Sequence, residues 1–343
     1  MTAAIKKTLI FRLSSIGDIV LTTPFIRLWH AKYPAVEIEF AVRKEYADLL
    51  RYHPAISRLH EIDVSEGREG LIRWRSYFQK QNFDSVFDLH NNFRTKFMRS
   101  GLDVPAHVID KRTVQRWILV KTKLNLFRQI IPVAERYIEA AKSCGIKPDR
   151  EGAELFVPQQ ISDRVREKIA SRFGTETKSI VAICPGSKHF TKRWPVEFYS
   201  ALTKRILETA TAVILLGGTE DKSLADIIMR SAGDSLYNAC EEFSLLETVA
   251  AIDQCKAVVS NDSGLMHIAC ARKKPVISIF GSSVKEFGFF PYHADSKIFE
   301  VDGLRCRPCS HIGRDSCPKQ HFQCMKKIEP DMIFDELSAL LRG

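Results

Sequence analysis

The 343-residue sequence predicts an α/β protein built as two doubly wound domains facing one another across a cleft, each a parallel sheet with helices on both faces. Three observations predict it. The chain is too long for one ordinary domain and comfortable for two. Apolar runs of strand length alternate with stretches of helical period along its whole length. A stretch carrying Gly145, Pro148, Gly152 and Pro158 separates two halves that repeat the same pattern.

In the first half, residues 7–13 (KTLIFRL) read as a buried strand, followed by one helix from about Gly17 to Lys32. Residues 36–42 (VEIEFAV) and 84–89 (DSVFDL) give further strands. In the second half, strands are expected at 179–184, 212–216, 257–260 and 275–280, with helices at 196–208, 220–231 and 244–254. Behind Pro330, residues 330–342 (PDMIFDELSALLR) read as a short amphipathic helix.

Composition narrows the function classes. Apolar residues make up 45% and charged residues 27%, a globular balance that excludes a disordered chain. No segment approaches the roughly 20 apolar residues of a membrane-spanning helix. Lys6 and Lys7 lead straight into a strand-like run rather than a signal-peptide core, so a cytoplasmic protein is expected. The net charge of +10 is uneven: residues 1–150 hold 26 Lys+Arg against 16 Asp+Glu, and the remainder is neutral. A basic N-terminal half suits an anionic partner; its plainer reading is solubility. The run Lys111–Arg128 sets Trp117, Ile118, Leu119 and Phe127 among cations. It suits an anionic surface, or a helix with its apolar face in the core.

Four motifs carry chemistry. Ser14-Ser15-Ile16-Gly17-Asp18 follows the first strand. Asp18 at the head of a helix can be held ionised and take a proton from an attacking hydroxyl, or can serve only as a cap. Pro185 to Pro195 follows the first strand of the second half; Gly186, Ser187, Lys188, Lys192 and Arg193 make a cradle for a diphosphate, or a solvated basic loop. Gly217-Gly218-Thr219-Glu220-Asp221 places an acid where ribose hydroxyls could be met, or makes only a tight turn with a helix cap. Asn261-Asp262-Ser263-Gly264, with His267 one turn further, opens another helix after another strand. Loops after parallel strands of one domain converge in space, so the coincidence of the last three weighs more than each alone.

These stretches, SIGDIVLTTP, KRWP, LLGGTED, NDSGLMHIA and KKPVISIFG, resemble the heptosyltransferases of glycosyltransferase family nine, in that family's order from residue 10 to about 290. The resemblance implies the two-Rossmann-domain fold called GT-B. Its acceptor-binding domain would span 1–155, its nucleotide-sugar domain 156–327 and a C-terminal helix 328–343. It implies inverting, metal-independent transfer of heptose from ADP-L-glycero-D-manno-heptose to the inner core of lipopolysaccharide. Asp18 matches the base, Lys192 a donor-phosphate contact, and Glu220 the acid near the ribose. Asp262, Ser263, Gly264 and His267 match the loop holding the diphosphate and sugar. Ser187 and Lys188 stand where the family's loop often has two hydroxyl residues. The implied partners are a nucleotide-sugar donor and an anionic lipid-linked acceptor, with peripheral contact at the inner face of the inner membrane and no nucleic acid. Acceptor-binding residues stay unassigned. A same-fold transferase using another nucleotide sugar, such as a UDP-hexose, and a basic nucleic-acid-binding protein are the alternatives.

Cys306, Cys309, Cys317 and Cys324 form C-x2-C-x7-C-x6-C near the C-terminus. They suit a structural zinc or iron–sulfur site, or reduced thiols in a compact loop; either way the tail is expected to lie beyond the donor loops.

Overall fold

The computed structural model describes residues 5–174, 177, 179–232 and 236–342. It divides into two units, one made of residues 1–111 and 133–156, the other of 112–132 and 157–343.

The first unit is a five-stranded parallel sheet. Its strands are β1 (Lys7–Phe11), β2 (Glu37–Arg43), β3 (Arg58–Ile62), β4 (Ser85–Asp88) and β5 (Ala106–Val108), in the order β3-β2-β1-β4-β5. The central strands are buried along almost their whole length, as expected where helices cover both faces. Leu9, Phe11 and Val86 pack on Phe78 and Met98, and the Phe11 and Phe78 rings meet edge to face at 5.3 Å.

The helix expected over Gly17–Lys32 is two, Ile16–Val20 and Thr23–Lys32. Pro24 brings no N–H to the junction, and the Thr22 and Thr23 hydroxyls donate to the carbonyls of Ile19 and Val20 at 2.6 and 2.8 Å. The irregular stretch before residue 157 is tied down by Arg27. Its guanidinium meets Asp149 at 3.0 Å, Glu154 at 2.7 Å and the Gly152 carbonyl at 3.0 Å.

The second unit is a six-stranded parallel sheet of β6 (Ile180–Cys184), β7 (Ala212–Leu215), β8 (Tyr237–Asn238), β9 (Ala257–Asn261), β10 (Val276–Phe280) and β11 (Ser296–Glu300), in the order β8-β7-β6-β9-β10-β11. The C-terminal helix Pro330–Arg342 is part of this unit. Its Ile333 and Leu337 lie in the same core as Trp194 and Tyr199, and Trp194 Nε1 donates to the Ile328 carbonyl at 2.9 Å.

The segment 112–132, read from sequence with the N-terminal half, packs with the second unit. The charge moves with it. The first unit holds 21 Lys+Arg against 18 Asp+Glu, the second 30 against 23. The basic excess therefore belongs mainly to the second unit, because five of its cations sit in an excursion of chain that contains no acid.

In both sheets the strand order reverses at one place, beside β1 and β4 in the first and beside β6 and β9 in the second. Adjacent loops leave in opposite directions there and open a crevice at the carboxyl ends of the strands. The motifs after β1, β6 and β9 sit at these two points, and the motif at 217–221 follows the neighbouring strand β7.

Candidate active site

In the first unit Asp18 lies half-buried in the short helix after β1, and four hydrogen-bond donors hold its carboxylate. Oδ1 takes Arg12 Nη2 at 2.6 Å and the Tyr137 hydroxyl at 3.2 Å. Oδ2 takes the Ser15 hydroxyl at 2.8 Å and the Ser15 N–H at 3.3 Å. Arg12 is buried and aimed by the Leu89 carbonyl, which accepts from Nη1 at 2.7 Å. Burial alone would raise the pKa of Asp18. The Arg12 charge and the Ser15 donors outweigh it and hold the carboxyl below its ordinary pKa. Burial pushes the Tyr137 phenol well above its usual range, so Tyr137 stays a neutral donor.

His90, after β4, stands at the same end of the sheet. Its Nδ1 accepts the Leu13 N–H at 3.0 Å. Burial first, and the charges of Arg12 and Lys111 next, push its pKa down to about 3, so it is a neutral imidazole at physiological pH. The turn that carries it is fixed by Asp88, which accepts from the backbone of His90 and Asn91 and from Arg99 Nε at 2.9 Å.

In the second unit the loops after β6, β9 and β10 meet. Lys192 Nζ lies 2.7 Å from Asp262 Oδ2, and the Ser283 hydroxyl donates to the same oxygen at 2.5 Å. The Ser187 hydroxyl reaches the Asp262 carbonyl at 3.4 Å. Asn261, buried at the end of β9, accepts the Trp194 N–H at 2.9 Å and donates to the Pro185 carbonyl at 2.8 Å, locking the β6 loop to the β9 loop. Ser263 caps the helix Gly264–Ala271, and its hydroxyl is 3.0 Å from that of Ser260. His267 is buried within this helix, beside Phe289. A helix N-terminus with small residues beside a lysine suits an anion.

The structure brings Ser187, Lys192, Asp262, Ser263 and Gly264, singled out from sequence, to one place. Lys188 is exposed on the same turn. Glu220 is exposed too, while its neighbour Asp221 is buried. The Asp221 carboxyl lies so close under the β6 loop that a Cβ at Gly186 would stand 2.1 Å from its Cγ; one at Gly217 would come within 2.8 Å of it. Burial raises the pKa of Asp221, against the Gly218 N–H that it accepts at 3.2 Å.

Sequence reasoning missed Arg12, Tyr137, His90 and Ser283, and named Asp221 only as the end of its motif, with the role given to Glu220. Asp221 and Ser283 follow strands directly and had that much signal. Tyr137 is 119 residues from Asp18 and had none.

The cysteine tail does not lie beyond the donor loops. Thr191, next to Lys192, donates its N–H to the Arg314 carbonyl at 3.0 Å, and its hydroxyl accepts the Arg314 N–H at 2.9 Å. Arg307 donates to the Ser283 carbonyl at 2.7 Å. Cys306, Cys309, Cys317 and Cys324 line one cavity of about 10 Å³ with His321, whose Nε2 is 3.7 Å from Cys306 Sγ. Yet no three His, Cys, Asp or Glu among the described residues converge as metal ligands. Burial pushes the Cys324 thiol up to about 12.

A profile of glycosyltransferase family 9 (heptosyltransferase) matches residues 72–319, nearly the whole second unit and the later part of the first. The chain belongs to this family. Among curated relatives, lipopolysaccharide heptosyltransferase 2 of Escherichia coli K12 is 25% identical over 98% of both chains. Lipooligosaccharide heptosyltransferase 2 of Haemophilus ducreyi is 25% identical over 98% of this chain and 99% of its own. Among solved structures, a family 9 glycosyl transferase from Veillonella parvula superposes with a TM-score of 0.82 at 22% identity, over 99% and 98% of the two chains. ADP-heptose LPS heptosyltransferase II of E. coli gives 0.75 at 22% identity, over 98% of each. The fold of this family 9 member is GT-B, and the protein is a glycosyltransferase. No helix among the described residues is long and apolar enough to cross a membrane.

Proposed function

We propose that this family 9 enzyme transfers heptose from ADP-L-glycero-D-manno-heptose to a hydroxyl of the lipopolysaccharide inner core, with inversion at the anomeric carbon. The observation that carries the proposal is the ammonium of Lys192, set at the strand-order reversal of the second sheet beside a helix N-terminus. Relatives named as heptosyltransferases, similar over nearly their whole length, support the choice of sugar and acceptor.

In this reading the second unit holds the donor. Its diphosphate lies against Lys192, Ser187 and the amides at Ser263 and Gly264, with the nucleoside toward the loop of Glu220 and Asp221. Asp262 is itself anionic and aims the lysine rather than touching phosphate. The first unit holds the acceptor. The acceptor oxygen attacks the anomeric carbon as the bond to the diphosphate oxygen breaks, and the leaving ADP keeps the electron pair. Asp18 takes the hydroxyl proton. A carboxylate held below its ordinary pKa is a weak base, so the proton moves late, when the attacking oxygen has become acidic. One displacement without a covalent intermediate inverts the centre.

Lys192 and the loop amides neutralise the leaving group, so the reaction proposed here needs no metal. The four cysteines serve as reduced side chains that fold the tail onto Thr191. Because the acceptor is built on a lipid, the enzyme works at the cytoplasmic surface of the inner membrane.

The test is release of free nucleotide from ADP-heptose, UDP-glucose and UDP-N-acetylglucosamine, each with and without a deacylated Kdo-bearing core acceptor. ADP release that depends on acceptor is expected. UDP release would keep the fold and change the donor, and no release from any pair would remove the proposal.

A further inference from the structure

The segment 112–132 leaves the first unit, packs on the second and returns, and it has an unusual surface. From Asp110 to Glu135 the chain holds six Lys or Arg and no carboxylate between those two acids. It starts with the helix Thr113–Thr122, of which only Leu119 is buried. Val114, Trp117 and Lys121 share one face of that helix by spacing. Val114 and Trp117 are exposed, Trp117 by 60%. The irregular chain that follows exposes Leu124, Leu126 and Ile130 beside Lys121 and Arg128. Five of the protein's exposed large apolar side chains therefore fall within 17 positions.

This surface is fastened rather than frayed. Lys123 Nζ donates to the Val120 carbonyl at 2.7 Å and to the Pro308 carbonyl at 2.6 Å. Asn125 donates to Glu286 at 3.0 Å. The loop that Lys123 grips also carries Ile312, which is exposed.

We infer that Val114, Trp117, Leu124, Leu126 and Ile130, with the exposed cations Lys121 and Arg128 of the same segment, form a docking surface for an anionic lipid bilayer. Apolar tips with an amphipathic Trp, beside cations on a segment with no acid of its own and with Glu286 held by Asn125, match the boundary between acyl chains and negatively charged headgroups. A nucleic acid would use the cations and leave the aliphatic side chains in water. A second copy of the chain would bring like charge against like. The inference rests on the reading of a lipid-linked acceptor for its purpose. It differs from the expectation drawn from sequence in placing the surface on the donor-binding unit.

The experiment is co-sedimentation of the full-length protein with phosphatidylcholine vesicles and with mixed phosphatidylglycerol–phosphatidylcholine vesicles, at low and high salt. Binding to the mixed vesicles that weakens with salt is expected. The double variant Trp117→Glu/Leu124→Glu should lower it by roughly tenfold or more. Lys121→Gln/Arg128→Gln should remove the preference for anionic lipid. Calorimetric ADP binding and circular dichroism unchanged from the parent show that each variant is folded. Equal binding to both vesicle types, no binding to either, undiminished binding by the Glu variant, or a dimer that dissociates in that variant would each overturn the inference. Transfer to a soluble acceptor is scored separately: vesicle binding without transfer removes the proposed activity and keeps the surface, and transfer without vesicle binding does the reverse.

Discussion

The two strand-reversal points use the same topology to opposite electrostatic ends. In the first unit the loop after the central strand presents a carboxylate, Asp18, clamped by Arg12, Tyr137 and Ser15. In the second unit the corresponding loop presents an ammonium, Lys192, clamped by Asp262, which Ser283 holds in turn. Each functional charge is paired with a buried or half-buried opposite charge that fixes its position. The doubly wound sheet supplies the place and a few side chains supply the chemistry, so the fold by itself does not tell a base from an anion cradle.

The contrast can be broken at either end. Asp18→Asn keeps the shape and removes the proposed base, and kcat should fall by about 10²- to 10⁴-fold, measured by acceptor-dependent ADP release. Lys192→Ala removes the cation proposed to face the leaving diphosphate. Loss of a charged hydrogen bond worth about 1.5–3 kcal/mol should raise the donor KM by roughly 10- to 100-fold. An unchanged KM would take Lys192 out of the donor site.

Arg12→Met sharpens the comparison by leaving Asp18 without its charge partner. Arg12 lowers the Asp18 pKa, so the variant should raise it, and the acidic limb of the kcat profile should move to higher pH. The same linkage gives a stability effect. Asp18 stabilises the fold above its unfolded pKa, and that contribution is lost as pH falls through its lower folded pKa. A uniform drop in kcat with no movement of the limb would make Arg12 a structural residue only.

Gly186→Ala should cost about 1–3 kcal/mol and several degrees of Tm, because the Asp221 carboxyl occupies the space of the new methyl group. Adding Asp221→Ala should return part of that loss. The smallest effect is expected from Asp221→Asn. A carboxyl whose folded pKa is raised favours folding below its unfolded pKa and loses that contribution as pH rises through the folded pKa. The Asn variant should therefore gain Tm at neutral pH and not at acidic pH, by differential scanning calorimetry.

What the sequence revealed follows from where each element lies. The inner strands β1, β2, β4, β6, β7, β9 and β10 were all legible, because strands buried on two faces are rich in apolar side chains. The four strands that escaped, β3, β5, β8 and β11, are the four sheet edges. They are short or partly exposed: β8 has two residues, β5 has three, and β3 carries Arg58, His60 and Glu61. The site was legible wherever it is local. Asp18 and Asp262 follow strands directly, but Tyr137 reaches Asp18 from a distant helix and Arg314 reaches Thr191 from the cysteine tail. The misplaced charge has the same cause. A linear halving assigned 112–132 to the N-terminal half, and the chain folds it onto the other unit.

The division of labour between the two charge centres is tested most directly by calorimetric titration of ADP into the parent, Asp18→Asn and Lys192→Ala proteins under one set of conditions. Parent and Asp18→Asn should bind ADP with equal affinity, and Lys192→Ala should bind it roughly 10- to 100-fold more weakly. Full affinity in Lys192→Ala, or a loss of affinity in Asp18→Asn as large as that in Lys192→Ala, would contradict it.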